Sequence, residues 1–355
     1  MHGAHRRDDH GAGAIEIRTP ARFHLGMFSF GDPSIRAFGG TGLMLDRPGI
    51  VLRMHPAERV SGTGPHADRA VAFARECAAA WGLAPAAACR IEVVSAPRAH
   101  VGLGSGTQLA LAVAAGIREL ADAADHESDG ATQRGGRGFA VDEVLRLAEG
   151  VGRGRRSSVG IHGFAGGGLI VEAGRLAAGR TGVERAPGAE GSPLIARAAM
   201  PPDWRGLLLI ERASEGLHGD AEREAFRSLS PVDRGLTAEL VRLAAMDLVP
   251  AAIEGRFAEF SSALHAYGRL AGIPFAPVSG RLPCHAGIER LIERLSALGI
   301  RGAAQSSWGP AVLACCASET EAADLRETLS AEGLDRTHDL SVVRFDSDGA
   351  RLERS

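Results

Sequence analysis

The chain has 355 residues, 45% of them hydrophobic and 23% charged, which suits a soluble globular protein of two ordinary domains. Its net charge of −3 and sequence pI near 6.5 give no whole-chain attraction to nucleic acid or membrane, so neither is expected as a partner and any anion site must be local. All forty basic residues are arginine, which excludes a P-loop lysine, a pyridoxal phosphate Schiff base and a lysine general base.

Five cysteines, Cys77, Cys89, Cys284, Cys315 and Cys316, make no CxxC pair, against structural zinc and in favour of a reducing compartment. The N-terminus MHGAHRRDDHGAGA has no apolar signal-peptide core, and no run approaches the roughly 18 apolar residues of a membrane span. A cytoplasmic protein is expected.

In chain order, AIEIRTPARFHLGMFSF predicts two short strands, Ile15 to Arg18 and Phe23 to Phe30, broken around Pro20. GIVLRM from Gly49 predicts another strand, Asp68 to Trp81 a helix, and RIEVVSAP a strand that leads straight into AHVGLGSGTQLALAVAAGIREL. There, apolar positions from Leu109 to Leu120 recur at helical spacing, so the glycine turn lies between a strand and a helix N-terminus. The stretch from Asp122 to Gly138 reads as an exposed loop, and Ala140 to Glu149 as a helix. Leu207 to Ile210 is a buried-strand signal. Helices are expected at 219–229, 233–246 and 249–270, with Tyr267, Phe257, Phe260 and Leu264 read as core or dimer surface. The last pattern is helix (Ala286 to Leu298), loop (Gly302 to Pro310), strand (Ala311 to Cys315), helix (Glu319 to Glu332) and strand (Leu340 to Phe345). Alternation of this kind points to α+β layers. The expected organisation is a disordered N-terminus (1–13), an N-terminal domain with a phosphate-binding loop (14–200), a C-terminal α+β domain (201–346) and a tail (347–355).

GLGSG is neither a dinucleotide fingerprint nor a Walker A loop: the third glycine of GxGxxG would fall at Thr107, and no GK[ST] occurs. What remains is a set of backbone N–H groups at a helix N-terminus, where free donors and the helix dipole favour an anion. Gly102, Leu103, Gly104, Ser105, Gly106, Thr107 and Gln108 form this candidate phosphate loop; a tight-packing turn is the other reading.

PARFHLG, VGLGSGTQLALAVA and GAAQSSWGP resemble, in order and spacing, the three motifs of the GHMP kinase superfamily. GRGRRSSVGIHGFAGGGLIVEAG and GLHGDAEREAF also resemble one non-kinase branch, the beta-ribofuranosylaminobenzene 5'-phosphate synthases. The resemblance spans roughly Ile15 to Phe345. It implies a ribosomal protein S5 domain 2-like N-terminal domain, a ferredoxin-like C-terminal domain, a site in the cleft between them and a homodimer. It also implies a reaction, in which phosphoribosyl pyrophosphate and 4-aminobenzoate or 4-hydroxybenzoate give a C-riboside phosphate, CO2 and pyrophosphate in tetrahydromethanopterin biosynthesis.

In the superfamily's kinases the segment equivalent to RRSSVGIHG carries an Asp base, and here that position is Gly160, with no carboxylate between Glu149 and Glu172. A phosphoryl transfer would lack its base, whereas ribosyl transfer to an electron-rich ring carbon would not need one. On this reading the glycine turn, Arg153 and Arg155 take donor phosphates, and Arg22, His24 and Arg156 belong to the reacting centre. The arginines also suit a solvated loop, and His24 a hydrogen-bonded structural histidine. Ser306, Ser307, Trp308 and Gly309 are expected at the aryl substrate, although the Trp also suits an inter-domain plug. Asp220, Glu222 and Glu224 are the candidate Mg²⁺ ligands; a solvated helix start explains them equally well.

Overall fold

The computed structural model describes residues 13–32, 34–83, 88–125, 136–176, 191–214, 216, 219–279, 285–307 and 309–354. The first sheet contains β1 (Ile15–Met27), β2 (Ala37–Pro56), β3 (Ser61–Thr63), β4 (Cys89–Ser95), β5 (Leu169–Arg175), β6 (Leu194–Ala198) and, from the far end of the chain, β11 (Arg351–Arg354). Their order is β11-β1-β2-β4-β3, with β5 and β6 branching from β2. On this sheet pack α1 (Ala67–Trp81), α2 (Ser105–Asp125) and α4 (Val159–Gly166), with α3 (Val141–Gly150) lying against these helices. Ile17, Leu52, Met54 and Ile91 meet Phe73, Ala112, Val113 and Phe164 in its core.

β1 runs unbroken past Pro20, where two strands were expected. The proline, which has no N–H to give the ladder, sits at a register shift between Thr19 and Ala21 and costs no paired bond. β2 starts twelve residues before the expected Gly49, because AFGGTGLM reads as a loop. The glycines there admit close neighbours: a Cβ on Gly42 would stand 2.8 Å from Phe23 O. The expected tail is corrected too. β11 pairs antiparallel with β1 from Ile15↔Arg354 to Arg18↔Arg351, and Arg354 Nε donates to Glu119 at 2.6 Å.

The second unit has β7 (Arg205–Glu211), β8 (Ala303–Gln305), β9 (Ala311–Cys316) and β10 (His338–Arg344) in the antiparallel order β10-β7-β9-β8. Its helices are α5 (Gly219–Ser228), α6 (Arg234–Arg242), α7 (Val249–Ile253), α8 (Phe257–Gly272), α9 (Ala276–Ser279), α10 (His285–Ala297) and α11 (Glu319–Ala331). Strand order 4-1-3-2 with helical crossovers is the ferredoxin-like arrangement. Both faces of β7 are covered, which explains the unalternating LLLI: Leu207 and Leu209 pack with Leu291, Leu295 and Leu325 of α10 and α11, while Leu208 and Ile210 share a core with Phe23, Leu25, Phe260, Leu264 and Tyr267. That second core joins the two units. Each fully buried large apolar side chain contributes about 1.5–3 kcal/mol to it.

Two expected helices, 233–246 and 249–270, are redrawn. Right-handed helical backbone continues from Arg234 to Ile253, and Leu243–Leu248 widens into a π-helix with Val249 N–H donating to Ala244 O. Pro250 lacks an N–H, and the wider turn just before it absorbs that loss. The break comes at Gly255, whose φ of +69° ends the run. Among the described residues no helix is long and apolar enough to cross a membrane.

Candidate active site

The glycine turn lies where the sequence pattern puts it, between β4 and α2. Gly102 and Gly104 take φ of +91° and +66°, conformations that side chains rarely adopt. Close approach gives a second reason. A Cβ on Gly104 would stand 2.9 Å from Arg22 Nε, and one on Gly309 would stand 2.5 Å from Gly102 Cα, so β1 and the β8–β9 turn both press on the loop backbone. Thr107 N–H and Gln108 N–H reach back to Gly104 O at 3.0 and 3.1 Å. The amides of Ser105 and Gly106 precede them in the first turn, where helix geometry supplies no partner.

These residues border a cleft of about 880 Å³ between the two units. Arg22, His24, Gly102, Leu103, Gly104, Ser105, Gly106, Thr107, Arg153, Arg155, Arg156, Ser307, Gly309 and Glu222 all line it. Four of the expected residues stand elsewhere. Gln108 is buried and spends its Nε2 on Gly160 O at 2.8 Å, tying α2 to α4. Ser306 is also buried: its hydroxyl donates to Gly102 O at 2.6 Å and accepts from His24 N–H at 3.1 Å, so it fastens the loop to β1. Asp220 and Glu224 do not line the cleft. Trp308 lies outside the described residues.

Seven arginines line the cleft, and they fall into two groups. On α5 and opposite it, Arg156 holds Glu222 through two bonds of 2.8 and 3.1 Å, Arg223 pairs with Asp220, and Arg227 pairs with Glu224 at 3.3 Å. Arg22, Arg69, Arg153 and Arg155 form no salt bridge among the described residues. Arg69, on α1, was missed by motif reading because it belongs to no motif. Its Nη2 would stand 2.8 Å from a Cβ on Gly106, directly over the start of α2. Arg153 lies 4.9 Å over the Phe73 ring with its Nε shielded and unpartnered. Arg22 Nε is likewise shielded and unpartnered. Burial pulls the Arg22 guanidinium down to about 10, against the opposing pull of Glu172 and Glu222.

His24, 1% exposed, stands two residues along β1 from Arg22 and on the same side of the strand. Its Nδ1 is 2.7 Å from Ser307 Oγ, while Nε2 has no partner. Burial, assisted by Arg22, holds the imidazole well below its usual range, so it is neutral at pH 7.

Glu172 is the first carboxylate after Glu149, and it does not border the cleft. Fully buried on β5, it accepts from Ser157 Oγ at 2.7 Å and from the N–H groups of Ser158 and Val159 at 2.8 and 3.3 Å, capping α4. The place of a kinase acid holds no carboxylate: a Cβ on Gly160 would lie at contact distance, 3.4 Å, from both Arg22 Cδ and Gln108 Nε2.

The three carboxylates expected to carry Mg²⁺ do not fit that role. Each is engaged by an arginine, Asp220 and Glu224 are not part of the cleft lining, and no group of three metal-ligating side chains occurs among the described residues.

Residues 248–335 match the family described as GHMP kinases C terminal. The chain is 32% identical to the beta-ribofuranosylphenol 5'-phosphate synthase of Archaeoglobus fulgidus over 70% of this chain and 74% of that protein. It is 28% identical to the enzyme of the same name from Methanothermobacter thermautotrophicus, over 83% and 87% of the two chains. Among solved structures, homoserine kinase from Cytophaga hutchinsonii shares the fold at 14% identity, with a TM-score of 0.61 over 99% of each chain. The fold is thus that of the GHMP kinases, and the chain belongs to the family of the beta-ribofuranosylphenol 5'-phosphate synthases.

Proposed function

We propose that the chain transfers a ribosyl 5-phosphate group from phosphoribosyl pyrophosphate to the carboxylate-bearing ring carbon of 4-hydroxybenzoate or 4-aminobenzoate, with release of pyrophosphate and CO2. One observation carries the reading. Four arginines that form no salt bridge among the described residues line the cleft together with the glycine turn, while the position of a kinase acid is Gly160, which carries no side chain and packs against Arg22 and Gln108.

In this reading Arg22, Arg69, Arg153, the Ser105 and Gly106 amides and the α2 dipole meet the charge that grows on pyrophosphate as the anomeric C–O bond breaks. Such donors favour the transition state because the leaving charge is larger there than in the bound donor. The shielded Nε atoms of Arg22 and Arg153 are donors already removed from water, so an arriving phosphate oxygen satisfies them without a further desolvation cost. A Mg²⁺ ion that enters on the donor's pyrophosphate belongs to the substrate. The ring carbon attacks as the oxocarbenium develops, and loss of CO2 restores aromaticity.

The test is release of labelled CO2 from carboxyl-labelled 4-hydroxybenzoate or 4-aminobenzoate in the presence of phosphoribosyl pyrophosphate and Mg²⁺. No release from either acid, together with ATP turnover on an alcohol, would replace this reading with a kinase.

A further inference from the structure

We propose that the Nε2 lone pair of His24 takes the phenolic proton of a hydroxybenzoate acceptor. The proposal rests on the ribosyl-transfer reading above. It starts from a hydrogen-bond network with a single proton to share. Ser307 Oγ lies 3.2 Å from His24 O and 2.7 Å from His24 Nδ1. A carbonyl oxygen only accepts, so we give that contact the serine's one proton and have Nδ1–H donate to Ser307 Oγ. This tautomer leaves Nε2 as a bare acceptor.

That atom is buried, has no partner among the described residues, and belongs to a residue that borders the cleft. A structural histidine in a core ordinarily satisfies both nitrogens. Burial, then Arg22 on its own strand, keep it unprotonated; of the other arginines on the cleft, Arg69, Arg153 and Arg155 form no salt bridge among the described residues, and Arg156, Arg223 and Arg227 are matched by Glu222, Asp220 and Glu224. The backbone also holds the ring still. Ser307 takes φ of +46°, an uncommon conformation for a side-chain residue, which Ser306 stabilises through its bonds to Gly102 and His24.

The chemistry needs such an acceptor for one substrate only. As the phenol O–H proton passes to Nε2, the oxygen's electrons drive the carboxylate-bearing carbon onto the anomeric carbon, and the C–O pair leaves with pyrophosphate. The ring is then a dienone. Cleavage of the C–CO2 bond returns its electron pair to the ring as a phenolate, CO2 departs, and Nε2 returns the proton to oxygen. An amine already carries a free lone pair and loses no proton before attack, whereas a phenol titrates near 10 and is protonated at neutral pH.

The experiment compares wild type with His24→Gln on 4-hydroxybenzoate and on 3-nitro-4-hydroxybenzoate, whose acidic phenol is already ionised at pH 7. The variant is expected to lose about 100-fold or more in kcat/KM on the first acceptor, the usual range for a general base. On the ionised acceptor the loss should stay under about tenfold, and the acid limb of the wild-type pH profile should vanish. Pyrophosphate binding measured by calorimetry should survive. Should the glutamine variant not fold, Ser307→Ala carries the same test, with a smaller loss confined to the parent phenol. Equal losses on the two phenols would overturn the proposal for either variant, as would a wild type that turns over only 4-aminobenzoate. A wild type that releases CO2 from no acceptor defeats the ribosyl-transfer reading itself, and the role of His24 falls with it.

Discussion

The two sets of arginines around the cleft use one side chain in opposite ways. Arg156, Arg223 and Arg227 are neutralised by Glu222, Asp220 and Glu224, and the last two of these pairs lie along a helix at i,i+3 on an exposed surface. Arg22, Arg69, Arg153 and Arg155 line the same cleft as the α2 N-terminus and form no salt bridge among the described residues. The first set behaves as solvated surface. The second keeps like charges together, with the Arg22 and Arg153 Nε atoms out of water, an arrangement that costs the free protein stability and is repaid when an anion binds. Counting arginines around a cavity therefore overstates its appetite for anions; the unpaired ones set it.

The sharpest way to break this comparison is Arg22→Met. Loss of a shielded, charge-assisted donor should weaken pyrophosphate binding by about 100-fold, read by calorimetry, since such bonds contribute about 1.5–3 kcal/mol each. The same variant should melt higher than wild type, because the free state no longer buries an unpaired charge. A lower melting temperature would show that Arg22 is structural.

Next in size is Gly104→Val, which places a branched side chain at φ +66° and 2.9 Å from Arg22 Nε. About 1–3 kcal/mol of stability should be lost in denaturant titration, and pyrophosphate binding should fall with the displaced arginine. Unchanged binding would remove the loop from the donor site.

On the other wall, Glu222→Gln frees Arg156 to face the cleft. Affinity for pyrophosphate should rise by about fivefold, the worth of roughly 1 kcal/mol, with little change in stability. Arg223→Gln, at an exposed pair, should change neither by more than about 0.5 kcal/mol. If the two variants behaved alike, the division between the sets would be unfounded.

The smallest effect is a slope in pH. His24 and His162 are both depressed below the ordinary imidazole value of 6.5 by burial, so below that pH the unfolded chain binds protons that the folded chain refuses. Stability contributed by these neutral rings is present above about pH 6.5 and is lost as pH falls below it. Glu172, raised by burial, acts in the opposite direction above the usual carboxylate range. His24→Asn should flatten the decline in melting temperature between pH 7.5 and 5.5, and an unaltered decline would show that His24 takes up protons as readily in the fold as in the unfolded chain.

What could be read from the sequence follows from what is local. The strand–turn–helix around Gly104 was legible because glycine conformation and helical periodicity act over a few residues, and so was the uninterrupted apolar run of β7. The first half of β2 was not, since its glycines are explained only by Phe23, Val159 and Ala173, distant in the chain. The same holds at the site. Ser306 and Gln108 look like donors in a motif, and only the fold shows that their groups are spent on Gly102 and Gly160. Arg69 carried no signal at all, because a single arginine on an amphipathic helix is indistinguishable from surface until α1 lies beside α2. The pairing of Glu222 with Arg156 spans 66 positions of chain, so the acids of α5 could be read as metal ligands with equal right.

The pairing of β11 with β1 sets a constraint on how the molecule is made. Of the described strands, β1 is made first and is bordered on one side by β11, which is made last, so the first sheet stays open along that edge until β11 is made. The chain also crosses between the two units twice, after β6 and again after β10. The glycine turn and the arm carrying α5 are thereby tethered from two directions. A nascent chain cannot finish the first sheet before the second unit has been made: that sheet is complete only when β11 pairs with β1.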